Sequence, residues 1–202
     1  MSAPAHTADE PFDGGPIARR GSRTDGVRLT VALAVVLAAL LALAEQESYR
    51  VFEARLASRA VHGLLGYPVI PANAGPTFFF GYHSGGGTQY LGLGVSLACS
   101  SVLLVGPAAL VTAVLAVVST VKLSRLMLAL AATAALVTLI NLLRFVLIAL
   151  LVDAWGPESG FGWAHSFFGS LLTLAGLAGA TYLYYRLARR PAAERRRPPA
   201  EQ

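Results

Sequence analysis

The chain has 202 residues, 55% of them hydrophobic and 13% charged, and its mean hydropathy is +0.59. Soluble domains carry about 25% charged residues, so this composition argues against a soluble globule, a disordered chain and a disulfide scaffold alike. The net charge of +5 implies no nucleic-acid partner, because most of the basic residues sit in the two tails.

Residues 1–26 are rich in Gly, Pro, Ala and charge and read as a disordered tail. Four apolar runs follow, at about 27–44, 93–119, 126–152 and 164–187. Crossing a bilayer takes roughly 20 apolar residues, so the expected fold is an all-α integral membrane protein of about four transmembrane helices. For the first run a signal peptide is the rival reading. Its length and the Glu45-Gln46-Glu47 that follows favour a retained anchor. The spans define one membrane domain over 27–187, ahead of a basic tail at 188–202.

Between the first two runs lies a polar segment, 45–92. Residues 45–65 suit an amphipathic helix on the membrane surface, with Val51, Phe52, Leu56, Ala60 and Leu64 on one face and Arg50, Glu53, Arg55 and Arg59 elsewhere. Pro68, Pro71, Gly75 and Pro76 break it. Residues 77–82 and 88–93 flank Gly85-Gly86-Gly87 and read as a hairpin or a Gly-rich flap.

Orientation follows from the short-loop cations. Arg19, Arg20, Arg23 and Arg28, then Lys122 and Arg125, then Arg186, Arg189, Arg190 and Arg195 to Arg197 all fall on one side. That side is read as the cytoplasm, with both termini, and the membrane as the plasma membrane. The segment 45–92 and a short loop at 153–163 face outward. The terminal arginines lie near anionic headgroups.

Three chemically capable residues sit within or beside the spans. Cys99 is the only cysteine; in an apolar helix such a residue is most often an inert small hydrophobe. Arg144 stands inside the third span, where a charge costs at least ~2.5 kcal/mol and usually faces the bundle interior; the alternative is an arginine that snorkels to the interface. Asn141 precedes it by three positions and shares its face, where it suits a packing hydrogen bond as well as a catalytic role. His165 follows Trp163-Ala164 at the start of the fourth span, a place where interfacial histidines are common. His62 and His83 read as solvated, with His83 beside Gly-rich sequence that lets it approach a site.

Depth links the trio. Counted from the cationic end of its own span at 1.5 Å per residue, Cys99 lies about 34 Å up, Arg144 about 28 Å and His165 about 31 Å. The hydrocarbon core is about 30 Å thick, so a thiol, a guanidinium and an imidazole reach similar height near the outer boundary. A cation lowers a thiol's pKa, an imidazole protonates a leaving amine, and a fixed guanidinium stabilises an oxyanion. Together they suit acyl transfer through a thioester. The chain has no Cys-x-x-Cys, His-Glu-x-x-His or Gly-x-Ser-x-Gly motif, so neither metal nor cofactor is expected. Ser100 and Ser101 suit capping or packing beside Cys99 more than nucleophilic attack.

In order and spacing, Ala98-Cys99-Ser100-Ser101, Asn141-Leu142-Leu143-Arg144 and His165 resemble the core of the exosortase/archaeosortase family of membrane cysteine transpeptidases and proteases. The resemblance covers about residues 81–185, as a minimal four-span form. It implies a nucleophile at Cys99, a general acid/base at His165 and an assisting Arg144; Asn141 and Ser100, beside them in sequence, are read as candidate supporting residues. The implied substrates are secreted proteins with a C-terminal motif, a hydrophobic helix and a basic tail, cleaved on the extracytoplasmic side. Two other readings stand beside it: a membrane scaffold held by Asn141 and Arg144, and, less favoured, a small transporter in which Arg144 binds an anion.

Overall fold

The computed structural model describes residues 22–71 and 75–189. Most of the two expected tails, 1–21 and 190–202, lies outside the described residues. Helix α1 spans Ser22–Ala44 and α2 spans Gln46–Leu65, where Gly66 closes α2 in the left-handed region (φ 72°) with its N–H on the His62 carbonyl. Three strands follow, β1 Val69–Ile70, β2 Thr77–Ser84 and β3 Gly87–Gly94, in the order β1-β2-β3, all antiparallel. The remaining helices are α3 Val102–Val118, α4 Leu123–Trp155, α5 Pro157–Gly162 and α6 Gly169–Ala188, with a π-helical turn at Trp163–Phe168 joining α5 to α6.

Asp25–Ala44, Leu123–Trp155 and the continuous Pro157–Ala188 are long and apolar enough to cross a membrane, and α3 is a shorter apolar helix of 17 residues. At 1.5 Å per residue α4 is about 50 Å long, well beyond a bilayer core, and its Asp153 end carries it into the polar segment. α1 packs along α3, α4 along α6, and α2 across α4.

Four expectations need correction. The second apolar run does not begin a helix at residue 93: Leu93 and Gly94 belong to β3, paired with Phe78 and Thr77, and the helix starts only at Val102. The segment 153–163 is no loop. α4 continues to Trp155, Gly156 turns the chain at φ 81°, and Pro157 opens α5. Gly160 packs so closely on α4 that a Cβ there would meet the Leu151 carbonyl at 2.1 Å. The disordered tail expected over 1–26 ends earlier, because α1 is already helical from Ser22. Finally, α2 buries Glu53, Ala54, Ala57, Ser58 and Val61, while Phe52 and Leu64 stay exposed. Small residues let α2 approach α4 closely, and that approach selects the buried face.

The hairpin is as expected but longer. Gly85 (φ 58°) and Gly86 (φ 87°) form its two-residue turn, the left-handed pair that matches strand twist. Period-two alternation aims Phe78, Phe80 and Tyr82 inward, with Phe79 exposed. Phe78 meets Phe145 of α4 edge-on at 6.1 Å, and Phe80 stacks on Tyr67 at 6.3 Å. These rings, with Ala57 and Val61 of α2 and Ala149 and Val152 of α4, form the larger core. The sheet therefore sits on one end of the helix bundle.

Candidate functional site

The segment from β3 to α3 is short and polar. Val95 N–H extends the ladder to the Pro76 carbonyl (2.7 Å), and the chain then makes a 3₁₀ turn, Leu97–Cys99. Cys99 N–H donates to the Ser96 carbonyl (3.0 Å) and Ser100 N–H to that of Leu97 (3.1 Å). Cys99 thus stands on a turn ahead of the helix, half-buried, rather than within an apolar span.

This turn is anchored by Glu53, which is 1% exposed. Ser100 Oγ donates to Glu53 Oε2 (2.6 Å), while Ser101 N–H (3.0 Å) and Asn141 Nδ2 (3.1 Å) donate to Oε1. Tyr49 and Thr138 hydroxyls meet Ser101 Oγ at 2.8 and 3.3 Å. Three donors converge on a group that accepts only, which offsets the several kcal/mol that burying a carboxylate costs. The network ties α2, the Cys99 turn and α4 together. Sequence reasoning placed Glu53 off the apolar face of α2. Ala54, Ala57 and Ser58 around it are buried with it, but small neighbours do not by themselves mark a glutamate as buried. Ser100 is turned toward this carboxylate, and Asn141 bonds it rather than Arg144.

Arg144 lies one turn beyond Asn141 on α4. Its Nη2 meets His165 Nδ1 at 3.1 Å. Arginine only donates, so Nδ1 accepts and the ring proton is assigned to Nε2. Phe161 stacks on the imidazole at 5.3 Å and 6° between planes, which fixes the ring's orientation. The π-helical turn carrying His165 widens the helix there, as such turns often do at functional sites. Gly169 leaves room for the guanidinium: a Cβ would lie 2.8 Å from Arg144 Nε. That Nε is buried and without a hydrogen-bond partner among the described residues.

Two cavities flank the Cys99–Arg144 pair. One, of about 160 Å³, adds Asn141, Leu104, Thr173 and Leu177. The other, of about 280 Å³, adds His165, Phe161, Gly92 and Gly94. Cys99, Arg144 and His165 therefore share the second cavity, and the thiol makes no hydrogen bond to either partner among the described residues. His83 lies elsewhere: its Nδ1 (3.2 Å) and backbone N–H (2.8 Å) meet Asp153 Oδ1. Tyr67 donates to Asp153 Oδ2 at 2.8 Å. Burial, then this hydrogen bond and the carboxylate charge, push the Tyr67 hydroxyl up to about 12. The cluster docks the sheet on the end of α4. His62 Nδ1 meets the Tyr67 carbonyl at 2.9 Å.

Residues 27–182 match the family described as transmembrane exosortase. No curated protein and no solved structure matches the chain.

Proposed function

Because the chain belongs to the transmembrane exosortase family, we propose that it is a membrane-embedded cysteine transpeptidase or protease that cleaves the C-terminal sorting signal of secreted proteins on the extracytoplasmic face. The observation that carries the site assignment is the single cavity whose wall holds Cys99, Arg144 and His165. In this reading Cys99 Sγ attacks the scissile carbonyl. Arg144 exchanges its His165 contact for the substrate oxygen and stabilises the oxyanion, using a guanidinium that has a buried donor to spare. This exchange frees His165 Nδ1 to take the thiol proton, which then passes to the leaving amine. A thioester on Cys99 remains. An amine or water attacks it, His165 takes the nucleophile's proton, and the thiol is restored. Asn141 and Ser100 support the site through Glu53. The substrate's hydrophobic helix and basic tail hold it in the bilayer with the motif at the site.

The test is the mature C-termini of secreted proteins, read by mass spectrometry in cells carrying wild-type or Cys99→Ala protein. Truncated C-termini disappear in the variant while it inserts normally; unchanged processing defeats the assignment. The second reading, a membrane scaffold, is favoured by the Asn141–Glu53 bond across the bundle. It requires Arg144→Ala to lower stability and Cys99→Ala to be silent.

A further inference from the structure

β3 is an edge strand. The register decides which of its backbone groups face outward. Ser84 and Gly87 flank a two-residue turn and so form a hydrogen-bonded pair. Alternation makes Tyr82–Gln89, Phe80–Leu91 and Phe78–Leu93 hydrogen-bonded pairs too. Two independent bonds agree with this phase: Val95 N–H continues the β3 series inward to Pro76, and Gly81 N–H points the other way, to Pro68 of the β1 side (2.8 Å). Thr88, Tyr90, Gly92 and Gly94 therefore direct N–H and C=O away from β2. None of these groups has a partner among the described residues.

Protein edges are normally blunted by charge, proline or a covering element. Gly87–Gly94 contains no charged residue and no proline. Its end borders the cavity of about 280 Å³, with Gly92 and Gly94 on one wall and His165, Arg144 and Cys99 on the others. An added strand sits about 4.8 Å from its neighbour.

We propose that the free edge of β3 docks an extended polypeptide segment of the substrate, which joins the sheet as a fourth strand on Gly92 and Gly94 and so presents its carbonyl to Cys99. This rests on the reading of Cys99 as nucleophile. Backbone pairing supplies affinity whatever the side chains, and alternate side chains of the added strand supply selectivity. One set faces the cavity floor at Phe145 and Ile148.

The experiment measures alkylation of Cys99 in the full-length protein in lipid nanodiscs. Two probes are used: iodoacetamide itself, and a mixture of acetylated hexapeptides ending in an iodoacetamide group. The attached peptide accelerates alkylation of the wild type. Gly94→Pro removes one outward N–H, and a Cβ at Gly94 meets only Thr77 Oγ1 at an ordinary 3.5 Å. It cuts the peptide-dependent acceleration, the ratio of the two alkylation rates, about tenfold, the net worth of one backbone hydrogen bond; Gly94→Ala, which keeps the N–H, preserves that ratio. In the wild type, single N-methyl groups along the peptide slow alkylation only at every second position. That series decides the matter if Gly94→Pro does not fold. Absence of acceleration, or an N-methyl effect without period two, overturns strand addition while iodoacetamide still reacts. A wild-type Cys99 that iodoacetamide fails to alkylate overturns the nucleophile reading itself.

Discussion

The two ends of the helix bundle use arginine in opposite ways. At one end α1 and α3 pack through Ala32, Ala113 and Ala116, with Leu126 of α4. There Arg28 donates to the carbonyls of Ala116 and Ser119, acceptors that the end of α3 leaves over, and to that of Val121 in the link to α4. Its charge also complements the helix C-terminus. At the other end Arg144 makes one hydrogen bond among the described residues, to His165, and its buried Nε has no partner among them. The first end is closed by its own backbone. The second holds two cavities, an open strand edge and a donor left over, around a turn fixed by Glu53. Finished hydrogen bonding stabilises a fold; unfinished hydrogen bonding beside a cavity leaves capacity for a substrate.

The sharpest test of that contrast substitutes lysine at both ends. Arg144→Lys keeps the charge but loses the planar fork, and turnover is expected to fall about 10²–10³-fold with a small change in melting temperature. Arg28→Lys is expected to leave the turnover of folded protein unchanged and to lower stability by about 1 kcal/mol. Equal effects on turnover would erase the distinction.

Glu53→Gln comes next. It keeps the volume but points an amide donor at groups that are themselves donors. A loss of about 1–3 kcal/mol of stability is expected, together with a slower reaction of Cys99 with iodoacetamide. A stability loss with unchanged thiol reactivity would reduce Glu53 to a packing tie.

Gly169→Ala places a methyl 2.8 Å from Arg144 Nε and 2.9 Å from the Ala164 carbonyl, so turnover is expected to drop together with the melting temperature; an unaltered kcat in the folded variant would place the guanidinium elsewhere during reaction.

The smallest effect is expected of Tyr67→Phe, which removes one hydrogen bond to Asp153 and costs about 1 kcal/mol. The hydroxyl's pKa is raised in the fold from 10.0 to about 12. Its stabilisation is thus complete below pH 10 and is lost as pH climbs toward 12. Wild-type protein should lose stability across that window, and Tyr67→Phe should lose less.

The membrane helices were legible because long apolar runs such as 27–44 suit a bilayer better than a soluble core, and the hairpin because adjacent Gly85 and Gly86 accept positive φ. Depth gave Arg144 and His165 a similar height, since 1.5 Å per residue converts sequence distance into height; that the two side chains meet is decided by the packing of α4 on the helix of His165. Glu53 was not legible. Its partners Ser100, Ser101 and Asn141 are 47 to 88 residues away, and nothing local separates a buried glutamate from a solvated one. The same distance hid the start of α3: residues 93–94 are as apolar as the helix after them, and only pairing with Thr77 and Phe78 makes them a strand.

The sequence by itself determined which segments are long and apolar enough to cross a membrane and that Arg144 lies far along its helix from the cationic end, because transfer energy and helical rise are local, additive quantities; the count did not hold for Cys99, which stands on a turn ahead of α3. Only the tertiary structure decided that Asn141 serves Glu53, that Gly169 admits the arginine, and that the edge of β3 opens beside Cys99. Those outcomes depend on which helix faces meet and on the phase of strand pairing, where a one-residue shift exchanges inside for outside.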